Sequence, residues 1–386
     1  MTAGPAFPPM RMAVSALFLA NGLVSGLWSV FVPVAQENLG IAESLMGLLI
    51  LIGASAGFAG LVASGVAIAK FGSRIVATFA GLLLAPALFL LSTAAEFWVA
   101  VGWFVVLFLS MSVMDVAMNA NGADVERALA RPVMSSFHGF WSLGAMTGAA
   151  GGGLLLAAGG QDLLTGTAFV ACAALTLAAW PFLHPRLAAP PEPAKGAQRF
   201  RLPGSLQVYA FGLVALAAFT AEGSVIDWGA IYLREEMAAD LRISGSAFAG
   251  FSLAMMIVRF LGDGLRQRFG GAVLLQGSAA LALTGFALAS QGGSLPFVVA
   301  GFLVAGMGCA NLVPVAFSAA ASAPGVSSAT GIAIATMFGY FGLLCAPALL
   351  GFVGERAGFA PVYLGFALAM ALVLVASFAA GSRLKG

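Results

Sequence analysis

The stretch Phe97–Glu126 reads FWVAVGWFVVLFLSMSVMDVAMNANGADVE. From Phe97 to Met114 it holds no charged residue, and then an aspartate and two asparagines arrive together. At 1.5 Å per helical residue the uncharged part is about 27 Å long, close to the ~30 Å hydrocarbon thickness of a bilayer. What the polar group at its end is for depends on the solvent around the run.

Composition identifies that solvent. Of 386 residues 61% are hydrophobic and 8% charged, with a mean hydropathy of +1.02. Soluble domains carry about a quarter charged residues, so this surface does not face water. The fifty glycines suit helices that approach closely within a membrane. Cys172, Cys309 and Cys345 lie in apolar runs without CxxC or His-rich spacing, which argues against a disulfide framework and a zinc site. The N-terminal apolar run exceeds a signal-peptide core and shows no clear cleavage site, so it reads as a retained first span.

Twelve stretches are long enough to span, with approximate limits 11–36, 44–69, 74–94, 97–122, 134–158, 162–183, 206–233, 245–265, 271–290, 295–320, 326–352 and 358–380. The one long polar, proline-rich stretch is HPRLAAPPEPAKGAQRFRLPG, His184–Gly204. It reads as a flexible connector. The expected organisation is an N-terminal six-helix bundle (1–184), a cytoplasmic linker (185–205) and a C-terminal six-helix bundle (206–386). With a cytoplasmic N-terminus, fourteen lysines and arginines fall at inner ends against three (Arg234, Arg242, Arg356) at outer ends. Such a bias sets orientation, with both termini inside.

Away from the span ends, three acids lie within spans: Asp115, Glu222 and Asp227. A charge at mid-bilayer costs roughly 2.5–3.5 kcal/mol on insertion scales, so each asks for a reason. Asp115 sits in the cytoplasmic half of the fourth span, and Asn119 shares its face four residues on. Asn121 points elsewhere, as a cap or loop residue. The fifth span brings His138 and Trp141 to a similar depth, so carboxylate, amide, imidazole and indole can converge on a cavity or, more simply, stabilise the inner end. Glu222 lies roughly 24 Å from the inner end of the seventh span, at or beyond the midplane. No basic residue lies within two turns of it along its own helix. It is the leading proton-coupling candidate, with Asp115 and Asp227 beside it. Asp227 and Trp228 are placed nearer the outer surface, where an interfacial role is expected. Asn21, Trp28, Asn311 and Tyr340 complete the substrate-binding candidates, each also explicable by packing. Arg259 and Asp263, at i and i+4, read as a gate pair. Pro33, Pro314 and Pro347 can kink their helices.

With these residues in view the chain resembles a major facilitator superfamily transporter over nearly its whole length, and more narrowly the fucose-permease-like bacterial branch. Asp115-Val-Ala-Met-Asn119 is similar to that branch's fourth-helix acid followed four residues later by Asn. His138-Gly-Phe140-Trp141-Ser142-Leu143-Gly144 is similar to its fifth-helix pattern, with Trp141 where the family has its substrate-facing Asn. Arg259-Phe260-Leu261-Gly262 matches the eighth-helix Arg-Phe-x-Gly. After the second span, Gly65-Val-Ala-Ile-Ala-Lys70 lacks the aspartate of the general superfamily loop motif. Two departures stand out: Ser29 replaces the first-helix acid before Pro33, and Glu222 is an acid the pattern does not supply.

The resemblance implies an all-α, twelve-helix membrane carrier of the inner membrane, working as a monomer by alternating access around a site between its halves. It implies a small polar organic solute, sugar-like first, with protons as coupling partners and lipid as surroundings. No cofactor, metal or nucleic-acid partner is expected. An efflux carrier for amphipathic compounds and a transport-inactive sensor of the same fold are the alternatives. An enzyme is not supported, since HExxH and metal-spaced His/Cys sets are missing and only His138 and His184 occur.

Overall fold

A computed structural model describes residues 8–94, 96–129, 133–184, 204–321, 323–326 and 328–380. It is built from α1 (Pro8–Leu39), α2 (Glu43–Phe71), α3 (Ser73–Ser92), α4 (Phe97–Leu129), α5 (Met134–Ala179), α6 (Leu206–Glu235), α7 (Ser246–Ala289), α8 (Leu295–Cys309), α9 (Leu312–Ala321), α10 (Ser328–Ala357) and α11 (Phe359–Ala380). No strand occurs among the described residues. Helix satisfies every backbone hydrogen bond inside its own segment, which hydrocarbon demands.

Ten of the helical stretches are long and apolar enough to cross a membrane, and Ser246–Gly262 is a shorter apolar helix. The breaks have local causes. Within α5 the helix is interrupted at Gly159 (φ −155°) and Gly160 (φ 68°), and within α7 at Gly270 (φ 77°). The left-handed values at Gly160 and Gly270 suit a residue without Cβ. Each long run is therefore two helices joined by a tight turn, where the sequence places the 158–162 and 265–271 connections. Between α8 and α9 the cause is Pro314, which cannot donate to the Ala310 carbonyl and crowds it. Pro33, Pro86 and Pro347 remain inside their helices.

By packing, the chain divides into two compact units. One holds Met1–Ile41, Leu49–Gly196 and Leu241–Gly245; the other holds Ala42–Leu48, Ala197–Asp240 and Ser246–Gly386. The two short exchanged pieces, 42–48 and 241–245, have no signal in the sequence.

The first unit is organised by a seam of small residues between α1 and α5. A Cβ on Gly22 would lie 2.0 Å from the Trp141 carbonyl oxygen, and one on Gly26 would lie 2.1 Å from that of Ala145. From the other side, Gly144 and Gly148 would each meet a carbonyl oxygen of α1 (Leu19, Leu23) at 2.3 Å. Facing small-xxx-small ridges of this kind let backbones touch without intervening side chains.

The second unit centres on aromatic rings. Tyr363 meets Phe302 edge-on at 4.8 Å and stacks on Phe286 at 6.2 Å. The hydroxyl of buried Tyr232 donates to the Ala289 carbonyl at 2.7 Å, and that of Tyr363 to the Ser224 carbonyl at 3.2 Å. Large apolar side chains such as Val66, Leu372 and Phe378 are exposed, as a hydrocarbon solvent permits.

Candidate functional site

Polar side chains inside the spans gather at one place in each unit. In the first unit the seam fixes α1 against α5, and this sets Asn21 beside Trp141. The Trp141 indole N–H donates to Asn21 Oδ1 at 2.9 Å, and Asn21 Nδ2 donates to the Met111 carbonyl of α4 at 3.2 Å. Asn21 is buried and Trp141 half-buried. One turn further along α4 stands Asp115. Asn119 Nδ2 reaches back to both the Asp115 carbonyl (2.9 Å) and its Oδ1 (3.2 Å). Asp115 and Asn119 are both half-buried, and the amide of Asn119 holds the carboxylate. His138 is exposed and meets the Phe18 ring edge-on at 5.2 Å. Asn21, Trp141, Asp115 and Asn119 thus form one α1–α4–α5 group.

Trp28 does not join them. It is 2% exposed and lies among Phe31, Phe104 and Phe108, with ring centroids 6.5, 5.2 and 5.9 Å away. The expectation that Trp28 offers a ring to solute is corrected here: α4 supplies aromatic partners that seal it into the core. Asn121 is no loop residue either. Fully buried, it donates through Nδ2 to Ser73 Oγ and to the His184 carbonyl, both at 3.0 Å, and accepts the His184 N–H at 3.2 Å. It fastens α4 to the start of α3 and to His184, two residues past the short 3-10 turn Trp180–Phe182. The polar end of the opening stretch therefore has two tasks, a half-buried acid–amide pair and a structural clasp.

In the second unit Glu222 has a partner that its own helix does not supply. Arg259 of α7 approaches its carboxylate at 3.7 Å, with side chains 19% and 15% exposed for Arg and Glu. Cys309, at the end of α8, lies within electrostatic reach of both. In the α8–α9 break, Asn311 is 7% exposed, and its Nδ2 is buried without a hydrogen-bond partner. Its Oδ1 lies 2.9 Å from where a Gly262 Cβ would stand, so the glycine of Arg259-Phe-Leu-Gly262 leaves the amide its room. Tyr340 of α10 is half-buried and stacks on Phe219 at 6.0 Å, with Phe317 of α9 6.2 Å from the same ring. Glu222, Arg259 and Asn311, with this aromatic group, are held by α6, α7, α9 and α10.

The gate pair expected of Arg259 and Asp263 cannot be followed, because the Asp263 side chain lies outside the described residues. Asp227 and Trp228 are not interfacial, which corrects a second expectation. They are 7% and 0% exposed, since α10 and α11 close over that end of α6. Trp228 stacks on Phe359 at 5.3 Å and uses the space that Gly351 leaves. Phe219 and Phe317 were missed at the sequence level, where no pattern separates an aromatic facing a cleft from one facing lipid.

Against this geometry, the Major Facilitator Superfamily model matches residues 13–322. The chain belongs to the Major Facilitator Superfamily. An uncharacterised transporter, y4wD, of Sinorhizobium fredii is 33% identical over 94% of this chain and 96% of its own length. An uncharacterised MFS-type transporter of Yersinia pestis is 30% identical over 97% of this chain and 96% of its own. Among solved structures, a mutant of the nucleoside transporter NupG superposes with a TM-score of 0.77 at 14% identity, covering 96% of this chain and 99% of that one. At that identity the likeness concerns the fold. The protein is a membrane transporter of the major facilitator type, and its intramembrane polar groups are read below on that basis.

Proposed function

We propose that this transporter moves a small hydroxylated organic solute, sugar-like in class, across the inner membrane in exchange with the protonation of Glu222. The observation that carries the reading is the Glu222–Arg259 pair at 3.7 Å, part-buried within the second unit. Separating a partly buried ion pair leaves a charge without a counter-charge in a poor solvent, which is costly. Protonation of Glu222 removes the attraction, so Arg259 can turn to another acceptor, including solute. Deprotonation restores the pair. A proton gradient acting on such a two-state contact can drive a conformational cycle.

The solute class is supported by the polar groups on offer. Asp115, Asn119, Asn21 and Asn311 present carboxylate and amide groups suited to hydroxyls, and Trp141 and Tyr340 offer ring faces suited to a sugar or other flat solute. The resemblance to the fucose-permease-like branch and the nucleoside named for NupG both lie within that chemistry. Setting aside Arg259, which pairs with Glu222 within the second unit, thirteen basic residues at inner ends against three at outer ends support cytoplasmic termini, with the two halves joined through a connector at 185–205. The reading needs one chain only.

Proteoliposomes test it. A thermal-shift screen first finds the solute, since a ligand of the folded state raises the melting temperature. Glu222→Gln, which mimics the protonated acid, should abolish uptake driven by a pH gradient yet spare counterflow, which moves no net proton. Gradient-driven uptake at the wild-type rate in Glu222→Gln would place coupling elsewhere.

A further inference from the structure

Where α6 faces α10, small residues leave a gap. Gly223 on α6 and Ala346 on α10 line a void with room for about one water molecule. Its lining is mainly apolar but includes a few polar side chains. The Trp228 indole N–H is fully buried, lines the void and has no hydrogen-bond partner. Thr220 Oγ1, in the same lining, is also buried and without one. Pro347 lines the opposite wall with Leu343, four residues earlier. A proline has no N–H, so the Leu343 carbonyl loses the donor that helix α10 would otherwise provide. Asp227 completes the set, 7% exposed and with contacts of its own.

We propose that this void is a binding site for a single buried water molecule that joins α6 to α10 at Pro347. The chemistry of the lining selects the occupant. Trp228 can only donate, so the occupant must accept; the Leu343 carbonyl can only accept, so the occupant must donate. A bare cation fails the first condition, and a halide fails the second and meets the Asp227 carboxylate. Water meets both. It accepts from the Trp228 N–H and the Thr220 hydroxyl and donates to the Leu343 carbonyl and to Asp227, which fills its four positions. The molecule replaces the N–H that Pro347 lacks. α10 is then tied to α6 at Pro347 by a bridge as well as by side-chain packing.

The wild-type protein in lipid nanodiscs tests this directly. A map at a resolution that reveals other buried waters should show one peak within hydrogen-bonding distance of Trp228 Nε1 and Thr220 Oγ1. An empty void, or a peak ringed by the short oxygen contacts of a metal cation, would overturn the assignment. A second readout is the hydrogen-bond-sensitive indole band in ultraviolet resonance Raman spectra, isolated as wild type minus Trp228→Phe. It should report a bonded N–H. A free N–H in the wild type contradicts the bridge. Should Trp228→Phe not fold, the wild-type map alone decides.

Discussion

Adding one methyl group at Gly26 should loosen the first unit, whereas the same methyl at Gly151 should not. In Gly26→Ala the new Cβ would stand 2.1 Å from the Ala145 carbonyl oxygen and 2.7 Å from the Ala149 nitrogen. Both are backbone atoms of α5 that no rotamer change can move. An ordinary contact requires α1 and α5 to separate by roughly 1 Å. A shift of that size is enough to stretch the 2.9 Å Trp141–Asn21 bond to about 4 Å, outside hydrogen-bonding range. Overpacking typically costs about 1–3 kcal/mol. Replacing a helical glycine by alanine returns up to about 1 kcal/mol of propensity. The balance is a loss of about 1–2 kcal/mol. At Gly151 nothing lies within 4 Å of the added Cβ, so only the propensity gain remains. Reversible denaturation in detergent micelles, with both variants against wild type, measures the difference. Equal stabilities for the two variants, or a more stable Gly26→Ala, would refute the backbone-to-backbone seam.

Asn121→Ala should lower stability by about 1–3 kcal/mol, because it strands buried partners in α3 and at His184; solute affinity of the folded protein should be unchanged in a thermal-shift titration. Asp115→Asn should weaken solute binding on the order of tenfold, about 1.4 kcal/mol. It should impair gradient-driven uptake and counterflow alike, unlike Glu222→Gln; normal counterflow would remove Asp115 from the solute site. Asn311→Ala should weaken solute binding while changing stability by less than about 1 kcal/mol, since its amide nitrogen bonds nothing within the protein. A large stability loss would make Asn311 a packing residue.

What could be read in the sequence follows from what hydrocarbon enforces. Span length and the need to close backbone hydrogen bonds leave a plain signature, so the helices and their glycine breaks at 159–160 and 270 were legible. Contacts along one helix were legible too, and Asn119 does bond Asp115 at the expected i, i+4 spacing. Contacts between helices were not. When both faces of a helix are apolar, hydropathy does not fix its rotation, so nothing announced that Arg259 would meet Glu222 or that α4 would enclose Trp28. Asp227 shows the same limit, since depth along α6 suggested an interface while packing by α10 and α11 buries it.

The interruption at Ala310–Asn311 has an electrostatic side. A helix that stops within the bilayer exposes the ends of two dipoles, each equivalent to about half an elementary charge. The carbonyl end of α8 is negative and the N–H end of α9 is positive, and Cys309 beside the junction feels both Arg259 and Glu222. The junction is a fixed dipolar socket for charges of either sign. When Glu222 takes up a proton, the negative end of α8 still favours a positive charge near the junction. Charge at this point is buffered by the backbone itself, which is why the neutral Gln variant at position 222 is expected to fold and to bind.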